Sequence, residues 1–154
     1  MALIIRHATG DDLPELVELG QQFAEASPYY EYYDENQFIS IVYRLLSMET
    51  AACFVAEKDS ELIGFIYGVL SHLWFNQGVP VVGELAWWVT PEQRGRAGIL
   101  LLKELEQWAR ERKAVILSMS ELANDGTSLG ELMWRRGFRP AEINHIKKFQ
   151  HGST

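Results

Sequence analysis

Cysteine occurs once in the 154 residues, at Cys53, so no disulfide can form within the chain. That scarcity suits a reducing compartment, and a cytoplasmic location is the expectation. Long apolar runs are missing too: none approaches the ~18 consecutive residues of a membrane span. The opening Met1 to Asp12 has only a short apolar stretch before it meets acidic residues, which leaves no core for a secretory signal. No membrane association is expected. Positive charge is in deficit, with 14 Lys and Arg against 21 Asp and Glu and a net charge of −7 at pH 7. A nucleic-acid partner is unfavourable on that balance, because neutralising phosphates calls for lysine and arginine. Metal-ligand spacing is absent around His7, His72, His145 and His151, and neither H-E-x-x-H nor C-x-x-C occurs, so no metal site is expected. Repeats, low-complexity tracts and linkers are lacking as well. One domain over residues 1–150, with a disordered tail at 151–154, is the resulting expectation.

What is present is ordinary globular composition: 47% hydrophobic, 23% charged and 12% aromatic, enough for a proper core at this length. Leu3-Ile4-Ile5 reads as a strand, and Thr9 with Asp12 as a capping box ahead of a helix carrying Leu13, Leu16, Val17, Leu19 and Phe23. A second helix is expected after Asp34, with Phe38, Ile41, Val42, Leu45 and Leu46 on one face. Three strands follow, at 52–56, 62–69 and 81–89, separated by Lys58-Asp59-Ser60 and Asn76-Gln77-Gly78. Ile99 to Arg112 reads as an amphipathic helix, Ala114 to Met119 as a buried strand, Thr127 to Arg136 as a helix and Ile143 to Phe149 as a last strand. The middle strands are joined by turns, so an α/β (α+β) fold with a mixed, mainly antiparallel sheet and helices on both faces fits better than a doubly wound one.

The stretch Trp88 to Leu105, "WVTPEQRGRAGILLLKEL", sets two arginines and two glycines between a strand and a helix. The first N–H groups of a helix lack intrahelical partners and carry partial positive charge, so such an end attracts phosphate. Gly95 and Gly98 let a ligand approach the backbone, while Arg94 and Arg96 supply charge-assisted hydrogen bonds. Neither the P-loop nor the Rossmann pattern matches. An ordinary surface turn with solvated arginines is the competing reading.

Gln93-Arg94-Gly95-Arg96-Ala97-Gly98 resembles the Q/R-x-x-G-x-G/A loop of the GNAT superfamily of N-acetyltransferases, with Arg96 where a middle glycine is usual. Val89-Thr90-Pro91-Glu92 ahead of it, the order of elements, and "LMWRRGF" from Leu132 to Phe138 are similar to the same family. The resemblance implies the GNAT-like acyl-CoA N-acyltransferase fold, acetyl-CoA (CoA) as cofactor, and direct transfer of acetyl to an amine. It implies that Arg94, Gly95, Arg96, Ala97 and Gly98 hold the pyrophosphate, with Ile99 assisting. It sets the pantetheine between splayed strands at 85–89 and 115–119, flanked by Trp87 and Trp88, with Asn124 as a further contact. Val89 is the candidate oxyanion donor through its N–H.

Glu84 is the candidate general base, since burial on an apolar strand raises a carboxylate's pKa toward neutrality. A strand-edge glutamate facing solvent is the alternative, and Glu121 and His72 stand in reserve. The family's usual tyrosine acid corresponds here to Met133, which donates no proton. Either Ser118, Ser120, Thr127 or Ser128 substitutes, or thiolate leaves unassisted, or the chain is an acyl-CoA-binding or interaction protein with little catalysis. "SPYYEYYDEN", residues 27–36, resembles the lip over the family's acceptor site; Tyr29, Tyr30 and Glu31 are its candidate contacts for a cationic small-molecule or peptide amine, against a plain solvated connector. Of Trp87 and Trp88, on opposite strand faces, at least one is core. Cys53 is read as a small core residue. A homodimer is compatible with the sequence.

Overall fold

The computed structural model describes residues 2–122 and 129–150. Asn124, Thr127, Ser128 and the tail 151–154 therefore lie outside the described residues. The chain runs as strand β1 (Leu3–His7), helices α1 (Leu13–Ala26) and α2 (Glu35–Leu46), strands β2 (Ala51–Lys58), β3 (Glu61–Leu73) and β4 (Asn76–Val89), helix α3 (Arg96–Glu111), strand β5 (Ile116–Ser118) and helix α4 (Gly130–Arg135). The five strands form one sheet in sequence order; β1 to β4 are antiparallel neighbours, and β4 and β5 are parallel.

Local chemistry fixes most of these boundaries. Asp34 caps α2 by accepting the Gln37 N–H at 2.9 Å. Asp12 accepts the Thr9 N–H at 2.8 Å, as the capping box predicts, and takes both guanidinium nitrogens of Arg6 at 2.8 and 2.9 Å. The β2–β3 turn places Asp59 and Ser60 at positive φ, the two-residue geometry that matches strand twist. Long β3 and β4 extend beyond the expected limits to a tip at Trp74 and Phe75, whose rings meet edge to face.

Both sheet faces are covered. On one, α3 packs Leu101, Leu105, Trp108 and Ala109 against Phe54, Ile66 and Val82. Gly68 permits this approach, since a Cβ there would stand 2.7 Å from Leu105. On the other, α1 and α2 bury Leu16, Leu19, Val42 and Leu45 against Val55, Phe65, Tyr67 and Trp88. Each fully buried side chain of this kind contributes roughly 2 kcal/mol. Cys53 lies in this second core, where burial pushes its thiol up to about 12, as a core residue and not a nucleophile.

Two expectations fail. Ala114 to Met119, expected as a buried strand, is strand only at Ile116–Ser118, with Val115 and Ile116 exposed, because the outer edge of β5 has no strand partner among the described residues. Residues 139–150, expected to end in a strand at Ile143 to Phe149, hold no regular structure and are exposed. Ile143, Ile146 and Phe149 recur every third residue, which leaves no single apolar sheet face, and among the described residues no partner edge pairs with them.

Candidate active site

The sheet opens beside β4. Val81, Val82 and Gly83 pair with Ile116, Leu117 and Ser118, and Val115 donates its N–H to Pro80 O at 2.9 Å. Beyond Gly83 the pairing stops, so residues 84–89 and 119–122 form the two arms of a cleft. This moves the expected boundary: Val115 to Ser118 belong to the closed part, and only Met119 of that stretch borders the opening. A bulge helps to turn β4 here. Tyr67 faces Ala86 and Gly68 faces Glu84, which leaves Leu85 as the extra residue.

Glu84 sits where the arms part. Its Oε1 accepts the Ser120 N–H at 3.0 Å, which ties the two arms across the fork. Burial pushes its carboxyl up to about 7, against the opposing pull of that N–H. The solvent-facing alternative for Glu84 is thereby corrected: the side chain is partly buried and bonded across the cleft. The reserve candidates are elsewhere. Glu121 is exposed, and His72 is exposed on β3 opposite Pro80, four residues along from Gly68, or roughly 13 Å.

Val89 ends β4. Thr90 donates to Ile63 O at 2.8 Å, and alternation turns the Val89 N–H away from β3, toward the open side. Arg94 Nε donates to Val89 O at 3.0 Å, and its guanidinium stacks 4.5 Å from the Trp88 ring centroid. Arg94 is thus a clip that folds the loop back on β4, and not a free solvated charge. Gly95 follows at φ 128°, a conformation that side chains rarely adopt, and α3 starts at Arg96 with no side-chain cap among the described residues. The N–H groups of Arg96, Ala97 and Gly98 consequently have no carbonyl one turn back within the helix.

A cavity of about 280 Å³ lies against this loop, lined by Trp87, Trp88, Val89, Arg94, Gly95, Gly98 and Ile99, with Leu129, Leu132 and Arg135 closing it from α4. Seven of the sequence-named residues therefore come together. Ala97 is buried in the core instead, and the Arg96 residue is exposed outside the lining. Trp87 packs on the α3 side, 3.6 Å from where a Gly98 Cβ would stand. Trp88 faces α1, donating its Nε1–H to Gln22 at 3.0 Å and meeting Phe23 edge to face. Leu129, Leu132 and Arg135 were missed; the only signal was the apolar spacing of "LMWRR", which marks a helix face but not what it faces.

Tyr29, Tyr30 and Glu31 do not line this cavity. They form an exposed connector between α1 and α2, in which Glu31 pairs with Lys148 and that ammonium lies 5.8 Å from the Tyr32 ring. Met133 is partly buried on α4, outside the lining. No helix among the described residues is long and apolar enough to cross a membrane.

Comparison with known proteins agrees with this geometry. AAC(6')-Iy, solved in complex with the bisubstrate analog CoA-S-monomethyl-acetylneamine, superposes with a TM-score of 0.78 at 18% identity, covering 97% of this chain and 99% of that one. The aminoglycoside antibiotic 6'-N-acetyltransferase AAC(6')-Ih from Acinetobacter baumannii gives 0.73 at 18% identity, over 98% and 100% of the two chains. Ribosomal-protein-alanine N-acetyltransferase from Brucella melitensis biovar Abortus 2308 gives 0.72 at 18% identity, over 97% and 100%. No curated protein matches the sequence. At these identities the likeness carries the fold, which is the mixed, largely antiparallel acyl-CoA N-acyltransferase architecture. The profile of the Acetyltransferase (GNAT) family matches residues 14–138, and the chain belongs to that family.

Proposed function

We propose that the protein is an N-acetyltransferase that moves acetyl directly from acetyl-CoA to an amine, with Glu84 as general base. The observation that carries this reading is the fork between β4 and β5. It sets a carboxyl that burial pushes up to about 7 at the apex, and at the open end an uncapped helix start beside a cavity. Acetyl-CoA is the acyl donor of this family and supplies the acetyl group as a thioester. The residues present fit it: Gly95 and Gly98 leave backbone exposed, and Arg94 and Arg135 line the cavity with Arg96 nearby at the helix start, although the chain is net negative.

In this reading the N–H groups of Arg96, Ala97 and Gly98 take the pyrophosphate oxygens, and the helix dipole adds to the arginine charge. Ile99, Leu129, Leu132 and Trp87 supply apolar walls for the arm that leads to the fork. Glu84 accepts the proton of the attacking amine, through a water where the two are not in contact, and the new C–N bond forms as the C–S bond breaks. Val89 offers its outward N–H to the carbonyl oxygen as negative charge develops there. The sulfur leaves as thiolate, tolerable for a thiol of pKa about 8.5; Met133 offers no proton.

The acceptor side is assigned to the lip of Tyr29, Tyr30 and Glu31. Lys148 supports this, since its primary ammonium already rests on the Glu31 carboxylate beside the Tyr32 face. The structural relatives include enzymes named for an aminoglycoside antibiotic and for a ribosomal-protein alanine. A small cationic amine and a peptide amine are therefore the acceptor classes to test.

Met133 favours one other reading, a protein that binds acyl-CoA with little catalysis. Thermal melting with acetyl-CoA, with CoA and without ligand, followed by thiol release over a panel of amines, separates them. Stabilisation together with release of the CoA thiol from acetyl-CoA in the presence of at least one amine is the expected result. Stabilisation without thiol release from acetyl-CoA with any amine leaves the binding reading, and no stabilisation by either ligand overturns both.

A further inference from the structure

The lip between α1 and α2 already holds an amine of the chain itself. Lys148 donates from its ammonium to Glu31 Oε1, and the same Nζ lies 5.8 Å from the Tyr32 ring centroid. A carboxylate beside an aromatic face is the chemistry by which a site holds a cationic amine. The hydrogen bond to Glu31 raises the pKa of this ammonium above its ordinary value, so it is charged at neutral pH while it rests there.

Position singles this lysine out. The chain has five lysines, Lys58, Lys103, Lys113, Lys147 and Lys148, and among the described residues only Lys148 forms a salt bridge with a carboxylate. Lys58 is taken up by Gln93 Oε1 at 3.0 Å. Lys103 lies on α3 and Lys113 just past its end, and α3 packs on the sheet face opposite α1 and α2. Lys147 turns instead to Phe149, with its Nζ 5.9 Å from that ring centroid. Lys147 and Lys148 therefore share one tether and differ in what their ammonium groups meet.

The tail supplies the reach. Residues 139–150 hold no regular structure and are exposed, yet their start is fixed. Arg139 stacks on Trp134 of α4, 3.5 Å from its ring centroid, and donates to the Trp134 and Phe138 carbonyls. The same helix lends Leu132 and Arg135 to the cavity beside the loop. Nine residues lead from Arg139 to Lys148, and extended they span roughly 30 Å. A tail anchored beside the cavity wall and ending on the lip thus presents its amine to the site at the high local concentration of a tethered group.

We propose that Lys148 is itself an acceptor of the transfer, acetylated at Nζ within the same molecule. The inference rests on the proposed chemistry and deepens it, since it names a primary alkyl amine on an extended segment as an acceptor. Nζ leaves Glu31, gives one proton to water and attacks the thioester carbonyl as the free amine. The C–N bond forms, the C–S bond breaks, a second proton passes to Glu84 and the sulfur departs as thiolate. The amide product carries no charge, so the attraction that held Lys148 on Glu31 is lost and the carboxylate is left open to an external amine.

Peptide mapping by mass spectrometry tests it on the full chain incubated with acetyl-CoA and no added amine. Acetyl should appear at Lys148, at least about tenfold faster than at Lys147, and the fraction labelled per minute should not depend on protein concentration. Lys148→Arg should lose that label, Glu84→Gln should slow it roughly 10²-fold or more, and Glu31→Gln should slow it while leaving Lys147 as in wild type. Cooperative melting confirms that the variants fold. Equal labelling of Lys147 and Lys148, a rate that climbs with protein concentration, or an unchanged rate in Glu31→Gln or Glu84→Gln overturns the proposal. If Lys148 stays unlabelled while an added amine releases the CoA thiol, this inference fails and the transferase reading stands; if neither happens, both fail.

Discussion

Glu84→Gln should lower turnover and raise stability at the same time, and the two effects share one cause. The wild-type carboxyl has a folded pKa of about 7 against an ordinary 4.5, because burial disfavours its charge. Its folded pKa lies above the unfolded one, so the proton is held more tightly in the native state. The stability that comes from protonation is fully present below pH 4.5 and is lost as the pH rises through 7. A difference of 2.5 between those two values corresponds to a ceiling of about 3 kcal/mol at pH 8. Glutamine keeps an oxygen for the Ser120 N–H but carries no charge, so the variant escapes this loss. At pH 8 its melting temperature should exceed wild type by several degrees, with about 10 °C as the upper bound for a chain of this size. At pH 4 the advantage should vanish. Turnover of the same variant at pH 8 should fall by roughly 10² to 10⁴, the usual worth of a positioned base. For wild type, kcat/KM should drop about tenfold per pH unit below 7 and level off above it. Melting curves and thiol-release rates from pH 4 to 9 supply both readouts. Normal turnover in the variant removes Glu84 as base; a melting difference that does not change with pH removes the buried-charge account itself.

Gly98→Leu should weaken CoA affinity at least tenfold by isothermal calorimetry with the fold intact, because the new side chain fills space between Trp87 and the helix start; unchanged affinity refutes the loop assignment. Asp12→Asn should destabilise by about 3 kcal/mol in urea unfolding, since Asp12 is 6% exposed and holds Arg6 through two hydrogen bonds. The Arg6 guanidinium holds the Asp12 carboxyl below its ordinary value, so this contribution is present above pH 4 and lost as the pH falls below it; a variant as stable as wild type at pH 7 contradicts the assignment. Gly64→Ala should cost about 1 to 3 kcal/mol, because a Cβ there stands 2.7 Å from the Trp88 carbonyl oxygen, a backbone atom that cannot turn aside; no change in urea midpoint refutes that close approach.

The strand–loop–helix turn at Gly95 was legible because its geometry is local. Gly95 has a positive φ, α3 starts without a side-chain cap among the described residues, and both facts belong to five consecutive residues. Amphipathic α1, α2 and α3 were legible for the same reason, since a 3.6-residue period reports one buried face. The fork was not. Its bulge at Leu85 sits inside "VVGELAWWV", where apolar residues occupy both faces, so one inserted residue leaves no break in any alternation. The raised pKa of Glu84 was expected from its apolar neighbours, but the bond to Ser120, 36 residues away, belongs to the closing of β5 on β4.

Residues far apart in sequence explain the remaining misses. Leu129, Leu132 and Arg135 reach the cavity only because α4 lies over the loop after Val89, and nothing in their own spacing names that neighbour. The tail is the sharper case. Ile143, Ile146 and Phe149 recur every third residue and so put no continuous apolar face on a strand, and a strand is in any case a relation between two segments. Among the described residues the outer edge of β5 takes no strand partner, and nothing in the composition of 139–150 decides that. Expecting a strand at 143–149 failed because a segment's own composition does not supply the sheet edge it needs.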